Sequence, residues 1–183
     1  MQIDLDELGI VAQTHAYNSV LRERIVEHVF VGDMLRRLWQ LGNTDVGVLR
    51  SEFDRGGYDL VVAFGLVVRH IQFKSSLASS STAEQSISIR LAQKPSGCVV
   101  WVVVNPDLSF SHFLWFGGSP GQPLPGVNDM KVARQPRANA QGFKADRPDH
   151  RRVPKGKFER LETLDDVLAR LFGIGGAGTT VQS

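Results

Sequence analysis

Asp59 is followed, after two short apolar runs separated by a glycine, by Gln72 and Lys74. A carboxylate, an amide and an ammonium gathered at one place would be satisfied by a metal ion and a phosphate. A hairpin would gather them. Leu60 to Phe64 and Leu66 to Ile71 are rich in β-branched residues, with Gly65 between them, which is the signature of two strands joined by a tight turn. If Gly65 and Leu66 form the turn, Phe64 pairs with Val67 and Asp59 falls opposite Gln72. Strand alternation then points Gln72 and Lys74 to the same side as Asp59, and Ile71 and Phe73 to the other. An edge hairpin with a solvated polar face is the alternative. Against it, Val61 and Ala63 on the face of Asp59 are apolar, so that face is at least partly covered.

A fourth candidate comes from the preceding helix. Residues 18 to 42 read as a long helix with Asn18 or Ser19 as N-cap and Gly42 as its stop. At 100° per residue, Val20, Val31, Met34, Leu35 and Leu38 form one stripe, and Glu27 lies near its middle. A carboxylate inside an apolar stripe must be paired, neutralised or bound to a metal; a solvated helix charge is the plainer reading. Glu23 is the alternative if the helix phase differs.

An acidic residue on a helix, then Asp, then a spacer and (Asp/Glu/Gln)-x-Lys on the next strand resembles the PD-(D/E)XK nuclease superfamily, the restriction-endonuclease-like fold. Tyr58-Asp59 stands where that family has Pro-Asp, and Gln72-Phe73-Lys74 where it has (Asp/Glu)-x-Lys. Gln72 is a departure, because it removes one negative charge from the metal cage. Some branches, including certain intron-encoded homing endonucleases, carry Gln there. The resemblance covers roughly residues 20 to 116. It implies an α/β sandwich: a central mixed sheet of four to five strands, flanked by the first helix on one side and the helix after Lys74 on the other. It also implies that Glu27, Asp59 and an oxygen of Gln72 hold one or two Mg²⁺ (or Mn²⁺) ions, with Lys74 positioning the attacking water or the developing oxyanion. The implied reaction is hydrolysis of DNA phosphodiesters, and the assembly admits a homodimer. A catalytically inactive nucleic-acid-binding or interaction module of the same fold stays open, with Gln72 in its favour.

Composition is compatible with this reading. At 183 residues and 42% hydrophobic, the chain suits one domain. A single cysteine, Cys98, excludes an intrachain disulfide and a Cys-based zinc site, and its place in the run CVVWVVV makes it a core residue. The acidic start MQIDLDELG has no basic region or long apolar stretch of a signal peptide, and no apolar run spans a membrane. A cytoplasmic protein without membrane partners is expected. The net charge of +2 conceals an asymmetry. Residues 131 to 160 hold ten Lys and Arg against three acids, or +7, leaving eleven against sixteen, or −5, elsewhere. A basic segment on an acidic body suits a polyanion. Arg134, Arg137, Lys144, Arg147, Arg151 and Arg152 are its candidate DNA contacts; a solvated, solubilising loop is the rival reading.

The remaining elements follow in order. Residues 46 to 53 read as a short strand and 54 to 57 as a turn into Asp59. Residues 83 to 93 read as a helix, 98 to 104 as a strand buried on both faces, and 110 to 116 as its partner. The whole is one domain, 1–172, with a core at 18–116, a basic loop region at 117–160 and a C-terminal helix at 161–172 capped by Thr163. A flexible tail, 173–183, formally matches G-x-G-x-x-G but follows a helix and has no second half of a nucleotide-binding unit. No P-loop, H-E-x-x-H or G-x-S-x-G occurs.

Overall fold

The computed structural model describes residues 18–53, 56–135, 142 and 144–174. Helix α1 (Ser19–Gln40) leads into β1 (Val46–Arg50), and β2 (Leu60–Phe64) and β3 (Val67–Leu77) follow as a hairpin. After β4 (Glu84–Ser88) and a 3-10 turn (Ile89–Gln93) come β5 (Gly97–Val104) and β6 (Phe110–Gly117). Then follow β7 (Val132–Arg134), β8 (Asp146–Pro154), β9 (Glu159–Leu161) and helix α2 (Leu164–Phe172).

The architecture is mixed α/β, with a six-stranded sheet ordered β1-β2-β3-β5-β6-β9 and a three-stranded sheet ordered β4-β8-β7. In the large sheet only β3 and β5 run parallel. Every residue of β5 is buried, as its unbroken apolar sequence requires of a strand covered on both faces. Alternation divides that strand between two cores. Cys98, Val100, Val102 and Val104 pack with Val26, Phe30, Met34 and Leu38 of α1 and with Val167, Leu168 and Leu171 of α2. Val99, Trp101 and Val103 pack with Ile87, Leu91, Val153 and Phe158. Both helices therefore cover one face, and the small sheet covers the other.

The architecture corrects several expectations. The central sheet has six strands rather than four or five, because β9, which begins in the region expected as a loop, is added to the edge beside β6. The stretch expected as a helix at 83–93 is β4 and the 3-10 turn. Ser86-Ile87-Ser88-Ile89 alternates polar with β-branched residues, a period of two that favours a strand. The basic region 117–160 is not a loop: it supplies β7, β8 and the start of β9. The apolar stripe of α1 is turned toward Val26 and Phe30, and Val20 in its first turn is exposed. The C-terminal helix begins at Leu164 rather than 161, with Thr163 accepting from the Asp166 N–H and Asp166 accepting in return. Most of the expected tail, 175–183, lies outside the described residues. No helix among the described residues is long and apolar enough to cross a membrane.

A buried cation sits inside the helix-side core. Arg69 is fully buried in β3, on the same face as Ile71 and Phe73. Its Nε donates to the Leu171 carbonyl at 2.7 Å and its Nη2 to the carbonyls of Arg170 at 2.6 Å and Gly118 at 3.0 Å. Nη1 reaches Ser96 Oγ and the Ser119 carbonyl, and the guanidinium lies 5.4 Å from the Trp115 ring centre. Arg69 thereby satisfies carbonyls at the end of α2 that have no partner within the helix. Nearby, burial pushes the Cys98 thiol up to about 12, so it stays protonated and unreactive at neutral pH.

Candidate active site on the second hairpin

Gly65 has φ of 53° and is the first central residue of the β2–β3 turn, the position where a two-residue hairpin takes glycine. Phe64 pairs with Val67, and Leu60 with Ile71, so the next position outward sets Asp59 against Gln72. The Asp59 N–H donates to the Ile71 carbonyl at 2.8 Å, and Asp59 Oδ2 accepts from the Phe73 N–H at 2.7 Å. No bulge interrupts the ladders of β3. Alternation therefore places His70, Gln72 and Lys74 together on the face that meets the small sheet.

Gln72 is 4% exposed, and its Oε1 accepts from the Ser88 N–H at 3.3 Å. The end of β4 thus fixes the orientation of this amide. Lys74 is half-buried and has no hydrogen-bond or ion-pair partner among the described residues. His70 stacks edge-on against Tyr58 at 5.0 Å between ring centres, and burial, together with the charge of Lys94, holds its imidazole below the usual histidine range.

The approach to Asp59 depends on Gly57. Its φ is 74°, and a Cβ built there would lie 2.6 Å from Ser88 Oγ and 3.0 Å from the Leu91 N. Only glycine meets both demands. Gly57→Ala should lower stability by about 1–3 kcal/mol and displace Asp59 from the hairpin register. Urea unfolding measures the first effect, and protection of the Phe73 amide from hydrogen exchange measures the second. Unchanged values in both would remove Gly57 as a determinant of the site.

Glu27 occupies a different setting. It projects from α1, which packs on the opposite face of the large sheet from Gln72 and Lys74. Its carboxylate is 6% exposed and forms ion pairs with Arg24 at 3.4 Å and Arg50 at 3.3 Å. Arg50 in turn donates to His28 Nε2 at 2.7 Å. The backbone still keeps Glu27 and Asp59 at one end of the sheet: Arg50 pairs with Leu60, and the Ser51 N–H donates to the Asp59 carbonyl at 2.9 Å. The hairpin thus brings Asp59, Gln72 and Lys74 onto one surface, while Glu27 approaches from the helix layer through Arg50.

Two carboxylates and an amide oxygen are hard donors suited to Mg²⁺ or Mn²⁺. Glu27 Oε1 is buried and accepts no hydrogen bond, but it faces the Arg50 guanidinium at 3.3 Å, so a metal ion there would compete with that ion pair. Among the described residues no group of three or more His, Cys, Asp and Glu side chains is placed to hold a metal ion. A cation here would therefore depend on Gln72 and water to complete its shell.

The basic residues expected to meet DNA are spread over the small sheet. Arg134 pairs with Asp146 at 3.3 Å, and Arg152 forms an ion pair with Glu84 across the β4–β8 ladder. Arg147 donates to His150 Nε2 at 2.9 Å, and Arg151 donates to the carbonyls of Asn128, Pro148 and His150. Lys144 is exposed, and Arg137 lies outside the described residues. Sequence reasoning overlooked the roles of Arg50, Gly57 and Ser88. Gly57 and Ser88 act through contacts between segments 31 residues apart, which no local pattern announces. The face of His70 was legible from strand parity once the absence of a bulge was known.

No protein-family model matches the chain, and no curated protein matches it either. Among solved structures the chain is similar to a bacterial homing endonuclease, at 21% identity over 68% of this chain and 84% of that one, with a TM-score of 0.32. A score that low does not establish a shared fold.

Proposed function

We propose that the protein hydrolyses phosphodiester bonds in DNA with the help of Mg²⁺ or Mn²⁺. The observation that carries this reading is the half-buried ammonium of Lys74, without a partner among the described residues, two residues along one face from Gln72, which stands opposite Asp59. An ammonium left without a carboxylate in a partly covered position is suited to an anion brought by a ligand. Asp59, Gln72 and Glu27 would hold the cation, which when bound supplies Lewis-acid stabilisation of charge on the scissile phosphate. Lys74 orients the attacking water or the developing oxyanion. Arg134, Lys144, Arg147, Arg151 and Arg152 supply contacts to the duplex, with Arg137 as a further contact proposed from sequence alone. Conversion of supercoiled plasmid to nicked or linear DNA by pure protein, present with Mg²⁺ or Mn²⁺ and absent with chelator, is the expected result. Intact plasmid under all these conditions would overturn the reading.

A second reading has its own support. Gln72 is neutral and its oxygen is engaged by the Ser88 N–H, as suits a binding module that keeps the hairpin without turnover. Such a protein retards DNA in a gel without cutting it. Gln72→Glu separates the two readings further. Glutamate keeps an acceptor for the Ser88 N–H and adds the charge that strengthens a cation site. Cleavage should persist, and its half-saturation should move to a lower Mn²⁺ concentration. Loss of cleavage in a folded variant would place residue 72 outside the metal shell.

A further inference from the structure

Arginine and lysine take different parts in the electrostatics of this chain. Every ion pair formed among the described residues uses an arginine. The carboxylates around the small sheet and β9 are taken in this way: Glu84 by Arg152, Asp146 by Arg134, Asp149 by Arg90, Glu159 by Arg170 and Glu162 by Arg160. Lys74 and Lys155 enter none of these pairs. The planar fork of arginine matches a carboxylate, whereas an ammonium is a point charge that serves a phosphate well. Affinity for a polyanion comes from cations that are not already neutralised, because these replace the counterions condensed on it.

Lys155 stands beside the proposed site. It opens the 3-10 turn Lys155–Lys157 that follows β8. Its N–H donates to the Ala83 carbonyl at 2.8 Å and its carbonyl accepts from the Phe158 N–H at 3.0 Å, so the backbone that carries the side chain is fixed at both sides. The residue is exposed, and its Nζ lies 5.7 Å from the centre of the Trp101 ring. That indole is fully buried, braced edge-on by Phe158 at 5.3 Å and by the hydrogen bond from its Nε1 to Ser76 Oγ at 2.9 Å. Trp101 is also the residue that pairs with Lys74 between β5 and β3. Lys74 and Lys155 are thus both neighbours of one rigid ring, on the face that carries Gln72. A cation resting on an aromatic face turns part of its N–H groups away from the ring, where an anion can meet them. We propose that Lys155 is a further phosphate contact of this face, holding the DNA strand next to the phosphate that Lys74 meets. The inference rests on the proposed DNA-directed function.

Two measurements test it: anisotropy titrations of a short duplex against salt without divalent cations, and plasmid nicking in Mg²⁺ at varied DNA concentration. Lys155→Met keeps an aliphatic stem on the indole and removes the charge. It should melt with the wild type and flatten the slope of log K against log salt by about 0.9 units. In nicking it should raise KM several-fold with kcat unchanged, the signature of lost uniform binding. Lys155→Arg retains the charge and should retain both the slope and KM. An unchanged slope in Lys155→Met would overturn the contact. A flattened slope with unchanged KM would place Lys155 away from the strand being cut, and would overturn the assignment as well. If the wild type binds duplex but leaves plasmid intact, the cleavage reading fails, while a slope flattened in Lys155→Met and kept in Lys155→Arg still supports the contact. Absence of any duplex binding by the wild type would sink the DNA-directed function and this contact together.

Discussion

Lys74→Ala is expected to cut plasmid DNA about 10²–10⁴-fold more slowly than the wild type, the loss typical of one positioned catalytic group, with unchanged thermal unfolding. The fold should be indifferent because Lys74 contributes no hydrogen bond or ion pair among the described residues. Asp59 behaves differently under substitution. Its Oδ2 accepts the Phe73 N–H at 2.7 Å, so Asp59→Ala removes a strut of the hairpin along with a candidate metal ligand. Asp59→Asn retains an acceptor for that N–H while removing the charge, and it should lose cleavage over the same range with little change in stability. Quantified nicking rates at saturating Mg²⁺, set beside melting curves, make the comparison. Wild-type rates in either Lys74→Ala or Asp59→Asn would sink the site assignment, whereas a parallel collapse of rate and melting temperature in Asp59→Ala alone would report only the lost strut.

Arg69→Met should lower stability by about 3–5 kcal/mol, the order expected when two or more buried carbonyls lose their donor. Methionine fills part of the volume but leaves the carbonyls of Leu171, Arg170, Gly118 and Ser119 without their donor. Each buried carbonyl without a partner costs about 1–3 kcal/mol, and two of these four close the end of α2. Arg69→Lys should recover only a small part, because an ammonium cannot present the planar fork that reaches two segments at once. Urea midpoints with unchanged slope measure both variants. A loss below about 1 kcal/mol in Arg69→Met would mean that water satisfies these carbonyls and the guanidinium is dispensable. The damage should spread from α2 to α1, since Arg37 holds Asp165 through two 2.7 Å hydrogen bonds.

Much of the local structure was written in the sequence. The β2–β3 register followed from Gly65 and two β-branched runs, because a two-residue turn leaves the flanking strands one way to pair. The burial of β5 and the Thr163 cap of α2 were equally legible, since each depends on side chains adjacent in the chain. These short-range rules placed Asp59 opposite Gln72, with Lys74 beside them. What covers that face was decided by tertiary structure. The alternation in residues 86 to 89 marks β4 as a strand, but not as part of a separate sheet paired with β8, some 60 residues later. Arg69 stands at an apolar position of β3, and only the carbonyls converging from α2 and residues 118 and 119 explain a buried cation there. The basic segment gave its charge from composition alone. Which of those charges remain uncompensated depends on cross-strand neighbours such as Glu84, which pairs with Arg152 across 68 residues of chain. Periodicity and turn chemistry are properties of neighbours in sequence, whereas charge compensation and closure of a site require the groups that only folding brings together.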